Sequence, residues 1–199
     1  MIDVLNKGVR RIHAWPLYIV GVIPAVWLIY SGATGGLGAE PIKALEHRLG
    51  LIGLQLLIAG LAITPLRKWA GLNLIKFRRA IGLLTFFYIL LHLLVWLVLD
   101  VQILSQIWAD IIKRPYITIG MIGFILMIPL AVTSNNYSIR KLGAKWRRLH
   151  QLTYVAAVLG AIHFVMLSKG FQLEPFAYLI AILTLLATRI RWNRKRVVA

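Results

Sequence analysis

The chain has 199 residues, of which 60% are hydrophobic and only 15% are Asp, Glu, Lys or Arg, and its formal net charge is +17. An ordinary soluble domain is about 45–50% apolar and about a quarter charged, so this composition excludes a soluble globular protein and predicts a chain embedded in lipid. The absence of cysteine excludes disulfides, iron–sulfur clusters, thiolate zinc sites and covalently attached c-type haem.

Six apolar runs, taken in chain order, predict an all-α integral membrane bundle that forms a single domain over residues 1–199. The predicted helices cover about residues 14–31, 47–66, 80–99, 115–133, 149–167 and 175–190. At about 1.5 Å per residue each can cross a hydrocarbon core of about 30 Å, some only marginally. The first run is longer than a usual signal-peptide core, so it is interpreted as an anchor. No internal repeat is found, and no length remains for a soluble catalytic domain.

The basic residues divide unequally between the two sides of this predicted bundle. The side that carries both termini holds 18 of the 23 Lys and Arg residues, and the opposite side holds five. By the positive-inside rule, both termini are expected in the cytoplasm, in a multi-pass protein of the cytoplasmic (inner) membrane. The basic surface then serves topology and contact with anionic membrane lipid, and no nucleic-acid partner is expected.

Five histidines are the candidates for chemistry, and two of them lie deep within predicted helices. His13 precedes the first helix and His47 opens the second, so both are expected to be solvated at an interface. His92 in the third helix and His163 in the fifth lie 13 and 15 residues past the last basic residue before each helix. At about 1.5 Å per residue these offsets are about 20 and 22 Å. The sequence therefore predicts two intramembrane histidines at nearly one level, toward the outer leaflet.

Two imidazoles at one level on parallel helices can supply both axial ligands of a haem iron. The neighbouring residues favour a flat, bulky guest, because polar and aromatic residues form one stripe on the third helix and small residues lie below His163 on the fifth. These residues are Arg78, Thr85, Tyr88, His92 and Trp96 on the third helix, and Ala156, Ala157 and Gly160 on the fifth. Two other classes remain open. One is a small transporter or channel with His92 and His163 as a proton relay, and the other is a structural subunit in which they form interhelical hydrogen bonds.

His150 is a third candidate ligand, near the cytoplasmic face. It lies 13 residues before His163, about 20 Å along the helix axis, which suits two stacked haems, although 13 residues leave the rings about 140° apart on an ideal helix. The position 14 residues before His92 is Arg78. Arginine cannot ligate iron, but Arg78 and Arg79 could neutralise haem propionates or a flavin phosphate. The residues thus predict one complete haem site and leave a second haem open.

Several motifs follow one another along nearly the whole chain. They are Gly35-Gly-Leu-Gly38 with Pro41 and His47, Ile63-Thr-Pro-Leu66, Arg78-Arg79-x-x-Gly82-Leu83 leading to Leu91-His92, Lys113-Arg-Pro-Tyr116, Arg140-Lys-Leu-Gly143 followed by Trp146-x-x-Leu149-His150, and Ile162-His163. Together they resemble the MsrQ (YedZ) family, which belongs to the ferric-reductase-like transmembrane group alongside the NADPH oxidases. His92, His150 and His163 match the histidines that this family associates with haem.

The resemblance implies a b-haem membrane subunit that transfers electrons within an oxidoreductase system. Such a subunit takes electrons from the quinone pool or a cytoplasmic flavin reductase. It passes them to MsrP, a periplasmic molybdopterin enzyme that reduces methionine sulfoxide in oxidised proteins. The resemblance also implies FMN, for which no residue is singled out. Electrons are expected to enter near His150, Arg78 and Arg79 and to leave from a haem held by His92 and His163.

Overall fold

The computed structural model describes residues 2–168 and 170–189, and within these ranges the chain is all-α. A 3₁₀ turn at Ile75–Phe77 precedes the fourth α-helix, and a π-helical turn at Trp96–Val101 follows it. The α-helices are α1 (Ile2–Arg11), α2 (Pro16–Ala33), α3 (Pro41–Trp69), α4 (Arg78–Val95), α5 (Leu104–Lys113), α6 (Pro115–Val132), α7 (Asn136–Leu142), α8 (Ala144–Leu149), α9 (Leu152–Leu167) and α10 (Leu173–Ala187). The predicted all-α class is confirmed for the described residues. Residue 190 of the predicted sixth helix, Lys169 and the basic residues after Arg189 lie outside them.

Among the described residues, five helical segments are long and apolar enough to cross a membrane. They are α2, α3, α4 with its flanking 3₁₀ and π turns, α6, and the run from α8 to α9. Their outward faces are apolar: Ile19, Val26 and Trp27 on α2 are each more than half exposed, which suits contact with lipid. α10 has 15 residues, about 22 Å, against a hydrocarbon core of about 30 Å. A multi-pass membrane protein is supported, while the sixth span and the sides of the termini stay predictions.

Three predicted boundaries differ from those of the structure, and each difference has a local cause. α3 begins at Pro41 rather than at 47, since proline is favoured in the first helical turn, where its missing N–H costs nothing. His47 therefore lies inside α3. The third predicted helix ends at 99, whereas the α-helix ends at Val95 and a π-helical turn continues it to Val101. The fifth predicted helix is interrupted after its first residue, because His150 and Gln151 form a turn between α8 and α9.

Three short helices, α1, α5 and α7, flank the spans, and hydropathy did not predict them because they are not long apolar runs. α1 and α5 are strongly amphipathic. α1 docks on the segment between α3 and α4, where the Asn6 side chain donates to the Gly71 carbonyl and accepts from the Asn73 amide. Lys76 donates to carbonyls at the C-terminal end of α1, where the helix dipole favours a cation.

Two antiparallel helix pairs, α3 with α4 and α6 with α9, make the most extensive contacts in the bundle. α2 packs on α3 and α4, and α10 packs on α9 and α3. Ala157 and Ala161 on α9 are fully buried, and their small side chains let neighbouring helices approach closely. Arg189 donates to the Leu61 carbonyl and the Tyr154 hydroxyl, which fastens the end of α10 to α3 and α9. The two helix pairs meet along α4–α6 and α3–α9, and they enclose the candidate site.

Candidate functional site

A cavity of about 420 Å³ lies between α3, α4, α6 and α9, and we call it the histidine cavity. His92 from α4 and His163 from α9 both line it. Their ring centroids are 6.2 Å apart, and the ring planes are inclined at 77°. Other lining residues are His47, Gly50, Trp96, Gly120, Phe124 and Gly160. The structure thus brings together two of the three histidines that the sequence singled out as ligands.

Each of these two imidazoles is held by a backbone carbonyl on the neighbouring helix. The Nδ1 atom of His92 lies 2.9 Å from the carbonyl oxygen of Glu46 on α3. The Nδ1 atom of His163 lies 2.8 Å from the carbonyl oxygen of Tyr116 on α6. A carbonyl oxygen can only accept a hydrogen bond, so Nδ1 carries the proton and Nε2 keeps its lone pair. Histidines that ligate metals are held in this way by their second ring nitrogen.

The donor set fits the iron of a haem better than a bare metal ion. A metal–imidazole bond is about 2 Å long, so two such bonds and the two ring radii span about 6 Å, close to the observed centroid distance of 6.2 Å. Across residues 2–168 and 170–189, no group of three or more His, Cys, Asp or Glu residues could hold a metal ion. A haem needs only two axial ligands from the protein, because the porphyrin supplies the other four nitrogens.

A second cavity, of about 890 Å³, contains the remaining predicted residues, and we call it the arginine cavity. Arg78 and Arg79 at the start of α4 line it, together with Trp146 and His150 beside the α8–α9 turn. Its cationic lining side chains are Lys76, Arg78, Arg79 and Arg147, and no carboxylate is among the described residues that line it. Such a cavity favours an anionic guest, for example a phosphate or carboxylate.

His150 is oriented differently from the paired histidines. Its ring stacks on Trp146 with a centroid distance of 3.9 Å, and its Nε2 lies 3.1 Å from the Thr133 hydroxyl. That hydroxyl donates its single hydrogen to the Pro129 carbonyl at 2.6 Å, so Nε2 of His150 is the donor and Nδ1 keeps the lone pair. The turn at His150 also interrupts the helix between α8 and α9. The angle of about 140° between His150 and His163, which holds for an ideal helix, therefore does not apply.

The two cavities adjoin each other. Leu57, Met127 and Ala156 line both of them. His150 therefore lies outside the histidine cavity but in a space that shares a wall with it. The opposite end of the histidine cavity is polar, and it is lined by Lys43, Glu46, Asp100 and Arg114.

Sequence reasoning misplaced some residues and missed others. Tyr88 lines neither cavity: it is buried, and its hydroxyl donates to the Gly21 carbonyl on α2 at 2.7 Å. Ala157 likewise lies in the core between helices. His47 was expected to be solvated, yet it lines the histidine cavity with its ring 5.8 Å from that of Phe164. The helix start at Pro41 is the signal that would have placed it there.

Comparison with known proteins adds independent information. Residues 48–161 match the family described as ferric reductase like transmembrane component. Curated relatives named protein-methionine-sulfoxide reductase heme-binding subunit MsrQ occur in Agrobacterium fabrum, Brucella anthropi and Brucella ovis. The first is 49% identical over 187 residues, which cover 94% of this chain and 87% of the relative. The other two are 51% and 50% identical over 177 residues, which cover 88% of this chain and 80% of each relative.

No solved structure matches this chain. The family match and the long apolar helices together establish a multi-pass membrane protein. The similarity to the curated relatives covers 88–94% of the chain. The chain therefore belongs to the MsrQ family, within the ferric-reductase-like transmembrane proteins.

Proposed function

We propose that this chain is a transmembrane electron-transfer subunit that binds one haem b between His92 and His163. The observation that carries the proposal is the pair of imidazoles 6.2 Å apart, each with Nδ1 bonded to a backbone carbonyl. The printed names of the relatives, heme-binding subunits of a protein-methionine-sulfoxide reductase, support the same assignment. Haem b, when bound, supplies one-electron redox chemistry at its iron.

The protein's own contribution is ligation, burial and placement. His92 and His163 provide two nitrogen ligands from two helices, so the distance between α4 and α9 determines whether both can bind. Leu54 and Phe124, which line the histidine cavity, would keep water away from the bound cofactor. At the polar end of the cavity, Lys43 and Arg114 would bind carboxylate groups of the cofactor by exchanging their present partners, Glu40 and Asp110.

Reducing equivalents enter at the arginine cavity. Its cationic lining suits the phosphate of a flavin such as FMN or a carbonyl-bearing quinone, and Arg78, Arg79 and His150 are the residues that contact such a donor. The wall of Leu57, Met127 and Ala156 that the two cavities share supports this path, because it leaves only a short separation between them. The donor is the quinone pool or a cytoplasmic flavin reductase. A second haem at His150 is not needed by this path.

The orientation follows from the distribution of charge. Of the 23 basic residues, 18 lie on the side of the bundle that carries both termini. By the positive-inside rule this side, with the arginine cavity, faces the cytoplasm, and the polar end of the histidine cavity faces the periplasm. α10 completes six spans in the inner membrane, and anionic lipid contacts the basic side. The acceptor is a periplasmic MsrP-type molybdoenzyme that reduces methionine sulfoxide in oxidised proteins.

A visible absorption spectrum of the purified protein, oxidised and then reduced with dithionite, tests the proposal. We expect the bands of a low-spin b-type haem at about one haem per chain. Addition of the oxidised form of an MsrP-type partner, together with methionine sulfoxide, should then reoxidise the haem. A protein that is well folded but carries no haem would overturn the proposal and favour a transporter or a structural subunit.

A further inference from the structure

A glycine lies behind each of the two paired histidines. A Cβ atom at position 50 on α3 would lie 3.1 Å from Nδ1 of His92. A Cβ atom at position 120 on α6 would lie 2.9 Å from Nδ1 of His163. Contacts this short would force the rings to move. Each imidazole therefore occupies the space that the side chain of any residue other than glycine would need at position 50 or 120.

The two arrangements are equivalent in detail. His92 bonds to the carbonyl of Glu46, four residues before Gly50, and His163 bonds to the carbonyl of Tyr116, four residues before Gly120. In an α-helix the carbonyl of residue i points toward residue i+4, and every Cα–Cβ bond tilts toward the N-terminus. A side chain at i+4 therefore lies beside that carbonyl. Glycine at i+4 leaves the carbonyl open to a donor from a neighbouring helix.

We propose that Gly50 and Gly120 are positioning residues for the cofactor, which expose one helix carbonyl each and so fix the tautomer and direction of His92 and His163. The inference rests on the proposed haem site. The same contact occurs twice in the bundle: Gly50 on α3 lies behind His92 on α4, and Gly120 on α6 lies behind His163 on α9. The glycine-to-histidine separations are 42 and 43 residues.

A third glycine that packs closely against a neighbouring helix separates the effect of helix packing from that of the imidazoles. Gly53, one turn after Gly50 on α3, provides the comparison: a Cβ atom there would lie 2.6 Å from Cδ1 of Ile89 and would not meet a histidine. Gly53 lines neither cavity. Gly53→Ala therefore introduces a closer contact than those at positions 50 and 120, with the end of the Ile89 side chain rather than with an imidazole; Ile89 itself lines the histidine cavity.

The test compares Gly50→Ala, Gly120→Ala and Gly53→Ala in the purified, monodisperse protein. We expect haem affinity to fall about tenfold or more in Gly120→Ala, as when other groups that orient a metal ligand are altered. We expect a smaller fall in Gly50→Ala, whose contact is longer. Both should shift the low-spin spectrum toward high spin. Gly53→Ala should keep the wild-type spectrum per folded chain, whatever its yield. Equal behaviour of all three variants, or unaltered spectra at positions 50 and 120, would overturn the proposal.

A second measurement does not depend on the folding of the alanine variants. In His163→Gly, exogenous imidazole can ligate the iron and donate its N–H to the Tyr116 carbonyl, whereas 1-methylimidazole has no N–H to donate. After correction for their affinities toward haem in detergent, imidazole should bind about tenfold more tightly. Equal affinities would show that the carbonyl contributes nothing. A wild-type protein without haem would instead refute the proposed function, so the two failures are distinguishable.

Discussion

The histidine cavity and the arginine cavity share a wall, yet they hold their imidazoles in different ways. In the histidine cavity both rings donate to main-chain carbonyls, which helix geometry keeps in place. In the arginine cavity His150 donates to the hydroxyl of Thr133, which belongs to a side chain that can rotate. A fixed acceptor suits a permanently bound cofactor, whereas an adaptable one suits a donor that binds and leaves.

The two cavities also differ in the charge of their lining residues. Four cationic side chains and no carboxylate are found among the described residues that line the arginine cavity. The histidine cavity is apolar around its paired rings, and cations and carboxylates mix only at its polar end. We infer that the arginine cavity selects an anionic guest by charge, while the histidine cavity selects its guest by shape and ligation.

The largest expected effect concerns the sides of the membrane on which the two cavities open. Alkaline phosphatase, active only in the periplasm, should be active when fused after Gly38 or Asp110 and inactive when fused after Asn73 or at the C-terminus, because basic loops remain in the cytoplasm. Fusion activity in intact cells measures this. An active C-terminal fusion would mean that α10 does not span, and that the five longer helices are the complete set.

The next effect separates the cavities by their ligands. His92→Ala or His163→Ala should abolish the low-spin b-type spectrum or convert it to high spin, because the iron loses one of two axial nitrogens. His13→Ala is the control, since His13 is exposed between α1 and α2 and lines neither cavity. The haem content and the visible spectrum of each purified variant are measured. An unchanged low-spin spectrum in both single variants would contradict the pairing.

The sequence was sufficient for the parts of this comparison that depend on helix period and hydropathy. The depths of His92 and His163 follow from counting 1.5 Å per residue, and the structure indeed brings their rings together. Long apolar runs likewise predicted the spans α2, α3, α4 and α6, although not their ends.

Features that depend on tertiary contact could not be predicted. Tyr88 shares a helical stripe with His92, but its hydroxyl bonds to α2, because a stripe does not specify which neighbour it meets. The acceptors at Glu46 and Tyr116 are main-chain carbonyls, which every residue has, so the sequence does not mark them. In the sequence, Gly50 and Gly120 cannot be distinguished from other glycines in apolar helices. Only the distances from their positions to the imidazoles set them apart.

Arg78→Ala tests the charge of the arginine cavity. A charged hydrogen bond contributes about 1.5–3 kcal/mol, so an anionic donor should bind about 10–150-fold more weakly. The KM for reduction of the haem by reduced FMN should rise accordingly, while the haem content stays normal. Arg78→Lys is the matched variant and should recover part of the loss, because lysine keeps the charge without the bidentate geometry. A loss of haem in Arg78→Ala would instead place a haem propionate at this guanidinium.

The smallest effect is expected at His150, where the two cavities are most directly compared. His150→Ala removes the stack on Trp146 and the bond to Thr133. An aromatic pair and a neutral hydrogen bond each contribute about 0.5–1.5 kcal/mol, so the donor site should be disturbed and reduction should slow about tenfold. The paired histidines lie in the other cavity, so their haem should remain. Haem per chain and the rate of reduction by a quinol or reduced flavin are measured together.

Thr133→Val is a milder variant for the same experiment, because it removes the hydroxyl and leaves the His150 ring in place. One neutral hydrogen bond is lost, so the slowing should be about two- to tenfold, no greater than in His150→Ala. If His150→Ala instead halves a stoichiometry of two haems per chain, His150 is an iron ligand and the one-haem path is wrong. In that case Thr133→Val should alter the second haem's spectrum, since it would change which ring nitrogen of His150 carries the proton. If neither variant changes rate or haem content, His150 takes no part in electron entry, and the donor site is defined by the cationic side chains of the arginine cavity.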